Sequence, residues 1–436
     1  MQSFLQLVAH DLYAKIGNDL SRTALIFPNK RANLFFNEYL AGESDQPIWS
    51  PAAMSISDLF QKLSVQKSGD PIRLVCELYK VFKEETQSQE TLDDFYFWGE
   101  LLISDFDDVD KNMVDADKLF SNLQDLKNLM DDYEFLDKEQ EEAIQQFFQN
   151  FSIERRTELK EKFISLWDKL GTIYHHYREN LTELGIAYEG MLYRNVIEQL
   201  DTDQLKYDKY IFVGFNVLNK VENEFFRKLK DAGKALFYWD YDIFYTQQIR
   251  KHEAGEFLKR NLGEFPNELP ESFFDIFKEP KKIRYISAST ENAQARFLPE
   301  WIKMITDNHS QIAEEKEKEN AVVLCNEALL LPVLHSIPQE VKNVNITMGF
   351  PLAQTPVYSF INAAMELQTN GYRSDTGRFT YEAVSAILKH PYTRQISSHA
   401  GPLERELTKT NRFYPLPSEL KQDDFLATLF TPRNGI

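Results

Sequence analysis

The stretch YDKYIFVGFNVLNKVENEFFRKLKDAGKALFYWDYD, residues 207–242, decides the fold class. Tyr210, Ile211, Phe212, Val213, Gly214 and Phe215 form a mostly apolar run. Such a run predicts a strand buried on both faces. A helix is then predicted from about Lys220 to Asp231, and Gly233 follows as its cap. A second apolar run, Ala235 to Trp239, closes the unit. Strand, helix and strand in this order predict a parallel pair joined by a crossover helix.

The same grammar extends outward. Upstream, Phe4, Leu5, Val8, Leu12 and Ile16 predict an amphipathic helix ended by Gly17. Thr23 to Phe27 predict a buried strand that Pro28 and Asn29 end, and residues 32–40 predict the following helix. Between these two α/β stretches, residues from about 72 to 200 are glycine-poor and read as helical. The clearest stripe there is Phe163, Leu166, Trp167, Leu170, Ile173, Tyr174 and Tyr177. Downstream, Pro266, Pro270 and Pro280 mark 263–282 as a linker. Strands are expected at 283–287, 321–325 and 344–347, and helices again from 355. The expected order is therefore 1–80, the first part of an α/β domain; 81–204, an acidic helical insertion; 205–262, the rest of that domain; the linker 263–282; 283–354, a second α/β domain; and 355–436, a helical segment that the chain leaves part-way. Two RecA-like (P-loop NTPase-like) parallel-sheet domains with helical insertions give that order.

A chain of 436 residues with 33 Phe and 20 Tyr has ample material for large cores, which excludes global disorder. Two cysteines, Cys76 and Cys325, exclude a disulfide framework and a multi-cysteine zinc site, and Cys325 reads as core. The amino terminus lacks the charged and apolar regions of a signal peptide, and no apolar run is long enough to span a bilayer, so a cytoplasmic location is expected. The formal charge of -19 argues at first against nucleic acid. It is unevenly spread, however. Residues 84–142 hold 20 acidic and 4 basic side chains, while the rest of the chain is close to neutral. A path for DNA across the α/β body therefore stays open, because steering depends on the local field.

Catalytic motifs are mostly missing. A phosphate cradle needs the GxxxxGK[ST] pattern, whose glycines let backbone amides wrap the anion and whose lysine neutralises it. That pattern is absent, and the first strand ends instead in Phe27-Pro28-Asn29-Lys30-Arg31. The stretch 101–108, LLISDFDD, has the look of a metal-binding strand end but reads as an acidic surface. His175 and His176 are adjacent on a predicted helix and cannot share a metal. Glu158-Leu159-Lys160, Glu314-Glu315-Lys316 and Glu419-Leu420-Lys421 fit the ExK half of a nuclease site, yet none follows a strand aspartate. Asp240 and Asp242 follow a strand, the arrangement by which nucleotide-sugar transferases hold a divalent metal, and they keep an enzymatic alternative open. A third alternative is a pure protein-interaction module that docks through the acidic helical segment.

Four stretches together resemble a known family: TALIFPNKRANLFFNEYL (23–40), the 207–242 stretch, IRYISASTENAQARFLPEWI (283–302) and NVNITMGFPLAQTPVYSFINAAMEL (343–367). They resemble the AddB-like branch of bacterial helicase–nuclease proteins, inactivated superfamily I helicases, in the form found in Bacteroides-type bacteria. The resemblance covers about residues 1 to 370. It implies a non-catalytic helicase-like scaffold that binds DNA, single-stranded or a duplex end, and a helicase–nuclease partner subunit during double-strand-break repair and recombination. It implies no cofactor in this chain, because Mg²⁺ would serve a carboxyl-terminal PD-(D/E)xK exonuclease domain that these residues lack. It also sets Asn29, Lys30, Arg31 and Thr347 beside the DNA path. Where an active helicase has Asp-Glu after its second-motif strand, this chain has Gly214-Phe215-Asn216.

Overall fold

The computed structural model describes residues 2–120, 156–247, 253–305 and 320–433, with side chains at 156–168 and 305 left aside. The chain divides into two compact units, Met1–Lys281 and Lys282–Ile436.

In the first unit, α1 (Phe4–Ile16) starts where Ser3 accepts the amide of Gln6 and stops at Gly17, whose φ of +84° a side chain would resist. Then come β1 (Thr23–Phe27), α2 (Ala32–Ala41), β2 (Ala52–Ser55), α3 (Ile56–Leu63) and β3 (Lys67–Ser68). Four long helical elements follow: α4 (Pro71–Thr86), α5 (Leu92–Lys111), α6 (Arg156–Glu183) and, after β4 (Ile186–Ala187), α7 (Glu189–Gln199). The α/β pattern resumes with β5 (Lys209–Val213), α8 (Lys220–Asp231) and β6 (Ala235–Tyr238), and α9 (Glu253–Glu264) packs after it. The decisive stretch therefore folds in the predicted order, with β5 ending at Val213, two residues before the expected Phe215.

The sheet has the order β2-β1-β5-β6, and every pairing is parallel. Alternate residues feed two separate cores, as a pleated strand requires. Ala24, Ile26, Tyr210, Phe212 and Phe237 enter one, and Leu25, Phe27, Ile211, Val213 and Tyr238 enter the other. α1 and α2 cover the second face, while α3 and α8 cover the first. β1 reaches β2 through α2 on one side, and β5 reaches β6 through α8 on the opposite side. Direction and face reverse together, so both crossovers keep one hand. The chain thus forms a doubly wound parallel sheet whose switch point lies between β1 and β5.

The helical segment expected at 81–204 begins earlier, at α4, and is not a separate body. Leu74, Leu78, Phe106, Tyr177, Met191 and Tyr193 share one continuous buried cluster with Ile26, Phe212 and Phe225. The four long helices are the outer cover of one sheet face. They close around Asp110, which is 0% exposed. Its carboxylate accepts from the Tyr174 hydroxyl at 2.6 Å, from Arg194 at 3.2 Å, and from Arg178 and the Tyr188 hydroxyl. Arg178 also donates to Asn195 at 3.0 Å, and Asn195 donates to Gln66 at 2.7 Å. One buried charge therefore ties α5 to α6 and α7. Burial first, and the Asp110 charge next, push the Tyr188 hydroxyl well above its ordinary range, so it stays a donor. The charge-dense residues 121–142 of the acidic segment lie outside the described residues.

Part of the expected linker packs against the first unit. Phe265, Leu269 and Phe274 are buried, the Trp239 indole donates to the Phe265 carbonyl at 2.8 Å, and Glu268 donates its amide to Phe237 at 2.9 Å. The change of unit falls at Lys281 and Lys282, the far end of the Pro-bearing stretch. Prolines at 266 and 270 punctuate an irregular strap without freeing it.

The second unit departs further from expectation. No strand forms at 283–287, 321–325 or 344–347. Tyr285 is 91% exposed and Val323 is 86% exposed, and Cys325, read as core, is exposed as well. A short apolar run marks a segment able to lie in a sheet, but pairing also needs neighbours to complete the ladder. Around these runs, α10 (Glu291–Arg296), α11 (Leu298–Ile305) and α12 (Leu330–Ser336) build a small core on Ala295, Leu298 and Val333. The helical expectation beyond 355 holds: α13 (Pro356–Thr369), α14 (Tyr381–Lys389), α15 (Pro391–Ile396), α16 (Ala400–Lys409) and α17 (Asp424–Leu429) enclose Leu367, Ile387, Leu403 and Phe430. A two-stranded antiparallel hairpin, β7 (Tyr372–Arg373) and β8 (Arg378–Phe379), joins α13 to α14.

Truncating Asp110 to Ala leaves two guanidiniums facing an apolar interior. We expect a loss of about 3–5 kcal/mol of stability, read from urea unfolding followed by circular dichroism. An unchanged midpoint would show that the carboxylate does not hold the helical cover together.

Candidate functional site at the switch point

In a doubly wound sheet, ligands sit outside the carboxyl ends of the strands where the winding reverses. Here that places the β1–α2 turn, residues 28–31, beside the β5–α8 loop, residues 214–219. Gly214 turns the chain out of β5 at φ +74°, and its amide donates to the Tyr238 carbonyl at 2.9 Å. Asn219 and Glu222 form a capping box at the start of α8. Burial pushes the Glu222 carboxyl above its usual range.

The β1–α2 turn satisfies its own donors. The Asn29 side-chain oxygen accepts the amides of Arg31 at 3.1 Å and Ala32 at 3.3 Å. These are helix-start amides of the kind that would face a phosphate. Lys30 reaches across to Asp58 at 3.0 Å. Asp58 closes a second capping box with Ser55, the last residue of β2, whose hydroxyl donates to it at 2.8 Å. The Ser55 hydroxyl chiefly, and then Lys30, hold the Asp58 carboxyl below its usual range against the opposing effect of burial.

A second set of paired charges fills the region beside β2 and β5. Lys111, at the end of α5, bridges Asp107 at 2.7 Å and Glu189 at 2.6 Å. Glu189 in turn accepts from Ser57 at 3.3 Å and Tyr193 at 3.1 Å. Tyr193 stacks on Phe60 with ring centroids 4.1 Å apart. Ser57 lies at the start of α3 directly after β2, so its bond to Glu189 sets this cluster beside the carboxyl end of β2.

The other sequence candidates are dispersed. Asp242 spends its carboxylate on the backbone: one oxygen accepts Phe244 at 2.8 Å, and the other accepts Ile276 at 2.9 Å and Phe277 at 2.8 Å. Three donors occupy most of the acceptor capacity of a carboxylate, so Asp242 pins the strap and does not stand beside Asp240 as a ready ligand. The residues 101–108 lie inside helix α5, so they form no strand end. His175 pairs with Asp117 at 2.7 Å and His176 with Glu85 at 2.6 Å, on different neighbours as their adjacency requires. Of the ExK sequences, 158–160 lie in α6, 314–316 fall outside the described residues, and Glu419 is held by Arg412. Among the described residues no three His, Cys, Asp or Glu side chains converge as metal ligands do. Thr347 lies exposed in an irregular run of the second unit, whereas Asn29, Lys30 and Arg31 share one turn of the first.

Two features escaped sequence reasoning. β2, with the sequence AAMS, has no β-branched residue to announce it. Asp110 is one of many acids in its stretch, and only the fold singles it out. No protein-family model matches this sequence, and no curated protein matches it.

The Ser55–Asp58–Lys30 set carries a pH signature. A depressed carboxylate contributes stability above its unfolded value, here 3.8, and loses it as pH falls through the lower folded value. The stability difference between wild type and Asp58→Ala, about 1 kcal/mol near neutrality, should therefore vanish under strongly acidic conditions. Urea titrations at several pH values measure it, and a difference independent of pH would remove the ionised carboxylate from the account.

Proposed function

We propose that this chain is a non-catalytic, helicase-like scaffold. It binds DNA, single-stranded or as a duplex end, and a helicase–nuclease partner subunit in double-strand-break repair. In this reading the first unit is a RecA-like domain that has lost its nucleotide site, and 283–354 belong to a second such domain. One observation carries the proposal. At the switch point the helix-start amides are taken by Asn29, and the nearby lysine is neutralised by Asp58. A sheet of the motor type without a vacant phosphate cradle suits holding better than hydrolysis. The resemblance of the 23–40 and 207–242 stretches to inactivated helicases supports the same direction.

The interaction reading has its own support. The exposed apolar runs around Tyr285 and Val323 belong to surfaces that soluble proteins usually cover. It is compatible with a scaffold that engages a subunit as well as DNA.

Fluorescence anisotropy with labelled single-stranded and forked DNA at two salt concentrations tests the proposal. We expect binding that weakens with salt, with a slope of about 0.7 to 0.9 per phosphate contacted. ATP should leave the melting temperature unchanged. Absence of binding to either DNA at low salt would overturn the DNA reading, and a clear ATP-induced shift would overturn the loss of the nucleotide site.

A further inference from the structure

We propose that one corner of the second unit, built from the β7–β8 hairpin and the loop after α16, is a stacking platform for single-stranded nucleic acid. The proposal rests on the DNA-binding reading above and gives it an address. The loop begins where Asn411 turns the chain at φ +51°. Its next residues lie along the hairpin, because the amides of Tyr381 and Phe379 donate to the carbonyls of Phe413 at 2.9 Å and Pro415 at 3.1 Å. Arg378, from the hairpin, donates to the Tyr414 carbonyl at 2.9 Å. Arg412 is held by Glu419. The backbone of the loop is thus fixed at both edges.

Two side chains on this fixed backbone stand exposed. Pro415 is buried, but Phe413 is 64% exposed and Tyr414 is 46% exposed. The Arg373 guanidinium lies 5.1 Å from the Tyr414 ring centroid. Two adjacent exposed aromatics on a rigid loop gain nothing for the core, since the local core is closed by Phe379 and Leu420. They do match the needs of unpaired bases, which offer a π face whatever their sequence, with arginines nearby for the phosphates.

The local charge agrees. Residues 371–420, with Glu419 counted, hold seven basic side chains against five acidic ones, in a chain whose formal charge is -19. A partner rich in negative charge is favoured here and disfavoured over the acidic helical segment. Duplex DNA hides its base faces, so the aromatic pair selects a single strand.

The test uses the full chain with labelled oligodeoxyuridine and oligouridine of about 20 nucleotides, which differ in the sugar alone. The Phe413→Ala/Tyr414→Ala double variant should raise Kd about tenfold or more. Arg373→Ala should flatten the dependence of log K on log salt by about 0.7. Tyr414→Trp should keep the affinity, because it keeps the stacking face. Tighter binding of either oligomer supports the platform and identifies the sugar of its natural strand. If wild type binds and the double variant binds equally well, the platform is wrong while the DNA reading stands. If wild type binds neither oligomer nor forked DNA, both fall. Loss of a protein partner in the double variant with unchanged oligonucleotide affinity would reassign the corner to protein recognition and overturn the proposal.

Discussion

The first unit depends on one constraint: β1 and β5 lie in the middle of a parallel sheet and must be dry on both faces. Thr23–Phe27 is buried at every position, and so are four of the five residues of Lys209–Val213. Parallel strands cannot be joined by tight turns, so each connection has to cross a face, and the crossing helices supply the cover. α2 and α8 do this on opposite faces because the winding reverses between β1 and β5. The same reversal creates the crevice at the strand ends. The four long helices add a second layer outside α3 and α8, and their core runs into the sheet without a break.

Charge inside that second layer is organised by pairing. Asp110 faces Arg178 and Arg194, and Asp107 and Glu189 share Lys111. Part of the acidic surplus that the composition reports is therefore neutralised where the helices meet. A buried carboxylate with two guanidinium partners tolerates little displacement, since losing one partner strands a charge in a poor solvent. It fixes how the helices approach one another, while apolar packing supplies most of the stabilisation. The cluster at Lys111 pairs its own charges, and Glu189 also takes the hydroxyl of Ser57 just beyond β2.

Legibility followed burial. Runs buried on both faces, such as 23–27 and 210–213, and helices with one apolar stripe, such as Lys220–Asp231, carry their environment in their spacing. Their positions in the structure match the sequence reading except at the end of β5, which stops at Val213 and not at Phe215 because Gly214 turns the chain there. β2 was invisible because four small or ordinary residues at a sheet edge need no special composition. The strand expectations at 283–287, 321–325 and 344–347 failed for the converse reason: their pattern is strong, but nothing among the described residues supplies the hydrogen-bonding neighbours that turn a pattern into a ladder. The strap at 265–274 was taken for a linker because proline signals irregular backbone, and irregular backbone can still be buried.

The sequence by itself determined the parallel α/β class of the first unit, the helix and strand order of its centre, the helical character beyond 355 and the absence of a glycine-rich phosphate loop. These follow from local periodicity and from residue types that restrict the backbone. Only the tertiary structure decided which acid became the buried hub, that Asn29 and Asp58 satisfy the switch-point turn, that Asp242 serves the strap, and that Phe413 and Tyr414 stand exposed beside Arg373. Each of these depends on partners brought from 28 to more than 80 residues away, or on which donors a single carboxylate or amide oxygen meets first. Spacing along the chain records a residue's own preference, whereas a contact is settled by the competition among every group the fold brings within reach.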